Sequence, residues 1–337
     1  MSQLIHYALY LLYPFYDPVV RNSQNYFLTY FTAGLTALLI TLVIKRRFSL
    51  PFRAIRRLLL PNKLWQHPSN WLDVKLYFVS LYYLVFQVLL VGGSTLLSVA
   101  AVVNFLTHAF GPAHIASGPS WLVTSASMLL VFLAVEFGYW LSHFMLHKLP
   151  FLWEFHKVHH SAEVLTPLTE FRQHPLELVL HPMLMTGAAS IVQGPMVWIF
   201  GAGAMVIDPV EANIISMFFW FTIQHLRHTH IPIYATGLLG KIIQAPAHHQ
   251  VHHSTNPAHY DTNLGYCLSI FDWMFGTLYV PKKGEKFEYG LGHEDHALET
   301  VTGSLFAPIG RVFMMAMRAL RGRFLVAPLR KRDLQSK

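Results

Sequence analysis

The sequence predicts an all-α, polytopic integral membrane protein with a histidine-rich, di-metal domain on its cytoplasmic side. Of the 337 residues, 53% are hydrophobic and 12% are charged, whereas about a quarter of a soluble domain is charged. Several apolar runs are long enough to cross a bilayer of about 30 Å. Fourteen of the 21 histidines lie between residues 143 and 253. Lipid therefore forms part of the solvent, and the histidines indicate metal binding.

The apolar runs define the predicted spans. The first covers residues 26–44 and ends at the basic residues 45–47, which places that end on the cytoplasmic side. Further runs cover residues 74–106 and 121–146, and the region 178–222 forms either a re-entrant hairpin or two full crossings. This topology predicts a multi-pass protein, in a bacterial inner membrane, whose histidines lie at the cytoplasmic face.

Composition and charge argue against several other classes of protein. Cys267 is the single cysteine, which excludes a disulfide framework, an all-thiolate zinc site and an iron–sulfur cluster with four thiolate ligands. The net charge is +8, and the basic residues gather beside apolar segments. That arrangement is typical of contact with anionic lipid headgroups, so we expect no nucleic-acid binding. Residues 1–15 lack a basic start and a small-residue cleavage site, and we expect no cleaved signal peptide.

Three segments of the chain differ in character. Residues 1–120 hold the first spans and a basic cytoplasmic linker, residues 121–280 hold the histidine-rich domain, and residues 281–337 form a basic amphipathic tail. Glu136 lies inside the third predicted span, where a carboxylate is costly. It stands seven residues before His143 on the same helical face. We expect it either to accept a ring N–H from a metal-bound histidine or to face a polar cavity.

Three groups of histidines have helical spacing. A pair stands at i and i+4 at the end of a predicted span, and two triplets follow the pattern H-x-x-H-H, whose members share a helical face. Imidazole nitrogens bind iron, zinc, copper or nickel, and so many rings are too many for one ion and suit two. The predicted ligands are His143, His147, His156, His159, His160, His228, His249, His252 and His253. Further candidates are His225, His230, His174 and His248.

Two other kinds of membrane protein also concentrate histidines. A metal transporter needs polar pairs through several spans, whereas these histidines gather at one depth. A zinc-dependent hydrolase is disfavoured because the histidines come without a serine or cysteine nucleophile. A bis-histidine haem is disfavoured because haem takes one ligand from each side. Isolated histidines are predicted to be ordinary core or surface residues, and these are His6, His67, His108 and His114.

Three short segments resemble the histidine boxes of the fatty acid hydroxylase/sterol desaturase superfamily. They are residues 143–147 (HFMLH), 156–160 (HKVHH) and 249–253 (HQVHH). Many members have H-x-x-x-H as the box before the last. In this chain the candidates for that box are His225, His228 and His230, and His228 fits best by its neighbours.

The sequence between the boxes and after them also resembles this superfamily. Residues 263–277 resemble the N-x-G…W-D-x-x-F-G-T ending, with Phe271 in place of the tryptophan. The segments 171–177 and 226–231 resemble those of bacterial members. The likeness covers roughly residues 125 to 280, with matching order and spacing.

The resemblance implies a membrane-bound, non-haem di-iron oxygenase that hydroxylates or desaturates a lipid with O2 and two external electrons. Sterols, fatty acyl chains and related lipids are the substrates that it implies, and ether-lipid cleavage is a further reaction of the family. Two iron ions would be the cofactor, with zinc as a substitute on overexpression. The chain has no glycine-rich dinucleotide fingerprint, so a ferredoxin or cytochrome should supply the electrons. Asn263 and Asp272 resemble residues that support the ligands, and Arg172 and Glu177 are expected to form an ion pair.

Overall fold

A computed structural model describes residues 52–112, 120–201, 226–292 and 295–320, with the single positions 204, 206 and 219. Within these residues the regular structure is helical, apart from isolated bridges that pair Ile243 with Leu268 and Ser254 with Tyr289. The predicted all-α fold is confirmed for this part of the chain. The predicted span 26–44 lies outside the described residues.

Ten α-helices follow one another in the described part of the chain. They are α1 (Phe52–Leu59), α2 (Asn62–Trp65), α3 (Pro68–Phe110), α4 (Ser120–Lys148), α5 (Pro150–His160), α6 (Glu177–Phe200), α7 (Gly237–Ile242), α8 (Pro246–His252), α9 (Ile270–Phe275) and α10 (Val301–Leu320). Short 3-10 helices cover Pro167–Phe171, Pro257–His259 and His296–Glu299.

The long helices correspond to the predicted apolar runs. Helix α3 includes the whole predicted run 74–106. Within the described residues, Trp121–Lys148 and Glu177–Phe200 are long and apolar enough to cross a membrane. The second of these continues through two prolines, Pro182 and Pro195. Up to Phe200, the region 178–222 thus forms one helix, and most of the remainder lies outside the described residues, so the choice between a re-entrant hairpin and two full crossings stays a prediction.

The chain folds into two compact units, each built from separate stretches of sequence. The first unit comprises residues 1–60, 77–138 and 182–226, and the second comprises residues 61–76, 139–181 and 227–337. The division of the sequence at positions 120 and 280 stays a prediction.

The first unit packs apolar helices at close range. Val131 of α4 and Ala189 of α6 form a buried core together with Val206. A Cβ atom on Gly138 would lie 2.6 Å from the carbonyl oxygen of Leu184, which is too close for any side chain. Glycine at this position therefore allows the two helix backbones to touch.

The second unit contains the shorter helices and a buried polar network. Arg172 is buried, and its Nε lies 2.6 Å from Oδ1 of Asp73 at the start of α3. Its Nη2 also donates to the carbonyl oxygen of Ser69 at 2.8 Å. The predicted ion pair between Arg172 and Glu177 is therefore wrong. The true partner lies about a hundred residues earlier in the chain, and local sequence cannot indicate such a tertiary contact.

Candidate metal centre

The nine histidines predicted as ligands lie together in the second unit, where they form two buried groups. Within each group the candidate ligand atoms all lie within 4.8 Å of one another. The five-histidine group consists of His143, His147, His156, His160 and His252. The four-histidine group consists of His159, His228, His249 and His253. Each group has enough nitrogen donors to hold one metal ion.

Each H-x-x-H-H triplet divides its members between the two groups. On α5, His156 and His160 belong to the five-histidine group, whereas His159 belongs to the four-histidine group. Helical geometry explains the division, since residue i+4 is rotated about 40° to one side of residue i and residue i+3 about 60° to the other. The triplet at the end of α8 makes the opposite division, because its i+3 member, His252, joins the five-histidine group. The two helices thus each contribute to both groups.

Backbone carbonyl oxygens fix the orientation of several rings. The Nδ1 atom of His143 lies 2.8 Å from the carbonyl oxygen of Leu264, and that of His252 lies 2.8 Å from the carbonyl oxygen of Thr262. The Nδ1 atom of His159 lies 3.2 Å from the carbonyl oxygen of Arg172, which follows later in the chain. A carbonyl oxygen only accepts, so each Nδ1 carries the proton. The Nε2 atom of each ring then offers a lone pair to the interior of its group.

Two carboxylates hold two further rings in the same way. Oε2 of Glu177 accepts from Nδ1 of His156 at 2.6 Å, and Glu177 is fully buried. Oε2 of Glu170 lies 2.9 Å from Nδ1 of His228. Both Glu170 oxygens also lie 3.2 Å from Nη2 of Arg227, which is buried. Such carboxylate–histidine pairs fix the ring tautomer and increase its basicity toward a metal.

A third carboxylate lies beside the end of α4. Oδ1 of Asp261 lies 3.3 Å from Nδ1 of His147, and its Oδ2 accepts from Nζ of Lys148 at 2.8 Å. Asp261 adopts a left-handed backbone conformation with φ of 59°, which costs free energy for a non-glycine residue. The fold maintains this conformation at the position where the carboxylate meets a candidate ligand.

The inward-facing nitrogens are arranged as metal ligands would be. Nε2 of His143 lies 3.0 Å from Nε2 of His156, and Nε2 of His228 lies 3.0 Å from that of His159 and 2.8 Å from that of His249. Burial lowers the pKa of His156, His159 and His249 well below 6.5, so these rings are neutral. Facing lone pairs repel unless a cation lies between them. Nitrogens about 2.1 Å from one ion and at right angles to each other would be about 3.0 Å apart.

Two further nitrogens support the same conclusion. Nε2 of His160 and Nε2 of His252 are buried and have no hydrogen-bond partner in the described part of the chain. Leaving such atoms unsatisfied would cost roughly 1–3 kcal/mol each. A metal ion in the five-histidine group would satisfy both. The residues present therefore fit a metal in each group, and the all-nitrogen donor set suits iron or zinc.

Two of the further candidate histidines lie outside both groups. Nε2 of His174 lies 3.0 Å from the carbonyl oxygen of Leu305, and its Nδ1 accepts from the backbone N–H of Leu176 at 3.1 Å. Both of its nitrogens are thus occupied by the backbone. Nε2 of His248 lies 3.0 Å from the carbonyl oxygen of Gly240, which turns this ring away from its neighbour His249. Neither residue belongs to the two groups of candidate ligands.

The remaining candidates are placed as follows. His230 is partly exposed and belongs to neither group. His225 lies outside the described residues. Glu136 is buried, with 1% of its surface exposed, and belongs to the first unit. Its expected contact with a ligand histidine stays a prediction.

Asp272 supports the centre through the backbone. Its Oδ1 accepts from the N–H of Leu264 and its Oδ2 from the N–H of Gly265, both at 2.8 Å. The carbonyl oxygen of Leu264 in turn holds the ring of His143. A Cβ on Gly265 would meet the carbonyl oxygen of Leu268 at 2.2 Å, so this tight turn requires glycine. Asp272 therefore positions the candidate ligand His143 indirectly, through the backbone of Leu264.

Asn263 has a comparable role at the other side of this loop. Its Nδ2 donates to the carbonyl oxygen of His248 at 3.0 Å, and its Oδ1 accepts from the N–H of Tyr279 at 2.8 Å. Its φ of 55° lies in the left-handed region that asparagine tolerates better than most residues. Asn263 thus connects helix α8 to the segment after α9.

Glu170, Glu177 and Asp261 were not predicted as parts of the centre. A general signal was present for the first two, since both lie in the short polar segment between the second box and the next apolar run. Nothing in the sequence distinguishes the residue that pairs with His156 from the residue that pairs with His228. Asp261 carries no sequence signal at all, because its position depends on an unusual backbone conformation.

Comparison with known proteins agrees with this geometry. Residues 128–277 match the family model described as fatty acid hydroxylase. Alkylglycerol monooxygenase from Xenopus tropicalis is 35% identical over 170 residues, which are 50% of this chain and 34% of that protein. Ornithine lipid hydroxylase OlsE from Rhizobium tropici is 27% identical over 170 residues, or 49% of this chain and 45% of that protein. Methylsterol monooxygenase 2-1 from Arabidopsis thaliana is 30% identical over 172 residues, or 47% of this chain and 58% of that protein. No solved structure matches significantly.

The fold and the centre define a helical membrane protein with two adjoining groups of buried histidines. The matching domain at residues 128–277 and the relatives place this domain in the fatty acid hydroxylase/sterol desaturase superfamily. The predicted resemblance is confirmed. The matched region spans about a third of the length of the alkylglycerol monooxygenases, 34% in Xenopus tropicalis and 34% in Homo sapiens.

Proposed function

We propose that this chain is a membrane-bound, non-haem di-iron monooxygenase that hydroxylates a lipid. The overall reaction is R–H + O2 + 2 e⁻ + 2 H⁺ → R–OH + H2O, in which the lipid C–H bond and O2 are the reactants and a separate protein supplies the electrons. Bound iron would supply the O2 activation that no side chain can perform. The observation that carries the proposal is the pair of buried histidine groups whose lone pairs face inward.

The protein's own residues prepare the centre for this chemistry. The rings are held neutral by burial and are oriented by carbonyl oxygens and carboxylates, so little reorganisation is needed when a cation binds. Glu170, Glu177 and Asp261 also place negative charge just behind the rings, which offsets the positive charge of two bound ions. Burial of all nine histidines keeps bulk water away from the reacting oxygen.

The names of the relatives favour hydroxylation over desaturation and suggest the first substrate to test. The three relatives described above are named as monooxygenases or hydroxylases. Their names give an alkylglycerol, an ornithine lipid and a methylsterol as the substrates. We propose an alkylglycerol as the first substrate, because relatives of this name from four animals are 28–35% identical to the chain. A lipid chain would enter from the bilayer, and the centre would lie on the cytoplasmic side of a bacterial inner membrane.

The arrangement of the histidines supports this function over the two rivals. A transporter passes its ion between sites at several depths, whereas these rings form two adjoining groups within a single unit. A hydrolytic zinc site usually keeps three protein ligands and an open position for water. Groups of five and four histidines support resident redox ions instead.

Metal analysis and isotope labelling test the proposed function. Purified protein should contain about two iron ions per chain, and ¹⁸O2 with a chemical reductant should place one ¹⁸O atom in the product of an alkylglycerol. Hydroxylation next to the ether oxygen gives a hemiacetal, which breaks down to glycerol and a labelled aldehyde. Zinc-loaded protein serves as the control and should be inactive, since zinc has no redox chemistry. Folded protein with one ion or none, or product formation without O2, would contradict the proposal.

The electron donor should bind a basic surface near the third box. Lys282, Lys283 and Lys286 are exposed on the segment that follows α9. Reversing all three charges to glutamate should raise the concentration of an acidic ferredoxin or cytochrome that gives half-maximal turnover, on the order of tenfold at low salt. Raising the ionic strength should have the same effect on the unaltered protein.

A control of equal charge change is available in α1. Arg53, Arg56 and Arg57 are also exposed, and their reversal should leave the required donor concentration unchanged. If turnover depends neither on the three lysines nor on salt, the donor binds elsewhere. Residues 281–337 would then be a membrane anchor.

A further inference from the structure

An exposed apolar patch lies on the two short helices α7 and α9. The helices are joined by backbone hydrogen bonds, since the N–H of Ser269 donates to the carbonyl oxygen of Ile242 at 2.9 Å. Six large apolar side chains on them are 39–67% exposed. We call these residues the α7–α9 patch: Leu238, Leu239, Ile242, Trp273, Met274 and Phe275. Continuous apolar surface of this kind marks contact with a protein or with lipid.

The position of α9 along the crossing helix α4 indicates which partner the patch meets. The ring of Phe275 stacks on the ring of Trp140, with centroids 4.4 Å apart and an interplanar angle of 21°. Nε1 of Trp140 donates to Oδ1 of Asp272 at 3.2 Å. Trp140 stands eight residues before the end of the crossing segment Trp121–Lys148, which is about 12 Å along the helix axis. Helix α9 therefore lies beside the crossing segment and not beyond its end.

The composition of the patch is typical of the membrane–water boundary. Nζ of Lys241 lies 5.0 Å from the centroid of the Trp273 ring. Tryptophan is enriched at the level of the lipid headgroups, and lysine beside it extends its charged end to water while its chain covers apolar surface. The only acidic residue of the two helices, Asp272, is fully buried and directed inward. No negative charge of these helices would therefore oppose contact with an anionic membrane.

We propose that the α7–α9 patch inserts into the bilayer at the boundary between headgroups and acyl chains. The second unit, which holds the histidine groups, then rests on the membrane through this patch. Asp272 connects the two features, since it lies in α9 and also fixes the Leu264 peptide that orients His143. The loop that contains Leu264 thus links the membrane-contacting helix α9 to the candidate ligand His143. This inference stands whether or not the proposed reaction is correct.

Site-directed spin labelling in lipid nanodiscs tests the insertion. Cys267 is the single cysteine of the sequence and is 4% exposed, so the unaltered protein should take up no label. Met274→Cys and Leu239→Cys place a label on the patch, and Lys283→Cys places one on an exposed polar segment of the same unit. In nanodiscs of phosphatidylcholine and phosphatidylglycerol, labels on the patch should collide with O2 several-fold more often than with a water-soluble nickel chelate. The label at position 283 should show the opposite preference.

Two results would overturn the proposal. Equal access of the chelate to positions 274 and 283 would show that the patch faces water. A label at position 274 that neither O2 nor the chelate reaches would show that a second copy or another protein covers the patch. Metal content and elution volume equal to those of the unaltered protein establish that each variant is folded. None of these readouts requires turnover.

Discussion

Replacing His249 by alanine should remove one of two metal ions and abolish turnover, whereas replacing the adjacent His248 should leave both unchanged. Nε2 of His249 lies 2.8 Å from Nε2 of His228 and 3.1 Å from Nε2 of His253. Nε2 of His248 instead faces the carbonyl oxygen of Gly240 at 3.0 Å. The two rings are neighbours in sequence and are 1% and 0% exposed. The two substitutions therefore remove the same buried volume, and only one removes a candidate ligand.

The measurement is metal stoichiometry together with O2-dependent turnover. His249→Ala should contain about one ion per chain and give no detectable product. His252→Ala should lose the ion of the five-histidine group in the same way, which separates the two groups experimentally. Equal metal loss in His248→Ala and His249→Ala would mean that the stoichiometry reports general unfolding and that the assignment of groups is unsupported.

Replacing Glu177 by glutamine should lower the affinity of the five-histidine group for its metal ion by about 10–100-fold. This is the usual effect of losing a carboxylate that is hydrogen-bonded to a ligand histidine. Glu177 is 0% exposed and accepts from Nδ1 of His156 at 2.6 Å. Glutamine has nearly the same shape but carries no charge, so the ring of His156 becomes a poorer electron donor. The backbone N–H of His174 donates to Oε1 of Glu177 at 3.1 Å, and the amide oxygen can still accept it, which leaves the amide NH2 group facing Nδ1 of His156. The fold should therefore survive.

Competition with a chelator measures this effect one ion at a time. Glu177→Gln should lose the first ion at a lower chelator concentration and keep the second. Glu170→Gln should do the reverse, because Glu170 lies behind His228 in the four-histidine group. Glu163→Gln is the matched control, since the Glu163 side chain is 64% exposed and lies outside both groups. If the chelator curves of Glu177→Gln and Glu163→Gln coincide, the Glu177 carboxylate does not contribute to metal binding.

Much of the candidate site could be predicted because its signals are local. Histidines at i, i+3 and i+4 lie on the same face of a helix, whatever surrounds that helix. The nine predicted ligands accordingly come together, and the two triplets lie on α5 and at the end of α8. The two helices that are long and apolar enough to cross a membrane could be predicted for a similar reason, since length and apolarity belong to the segment itself.

Contacts between distant segments could not be predicted in this way. Arg172 was expected to pair with Glu177, five residues away, yet it pairs with Asp73. His174 and His248 have the residue type of a ligand, but the Nε2 atom of each lies against a backbone carbonyl oxygen. The division of each triplet between the two groups depends on where the other helix lies. Asp73 and Leu305 lie far from their partners in sequence, and the contact of His248 with Gly240 depends on how the chain folds between them.

The sequence by itself determined that this is an apolar helical protein, that it contains a domain similar to the fatty acid hydroxylase/sterol desaturase superfamily, and which nine histidines are candidate ligands. Residue type and short-range spacing carry that information. Only the tertiary structure decided the two groups, the carboxylates behind His156 and His228, and the Asp272 contacts that join α9 to His143. The physical reason is that a hydrogen bond requires atoms about 3 Å apart. Chain folding alone brings residues far apart in sequence to that distance.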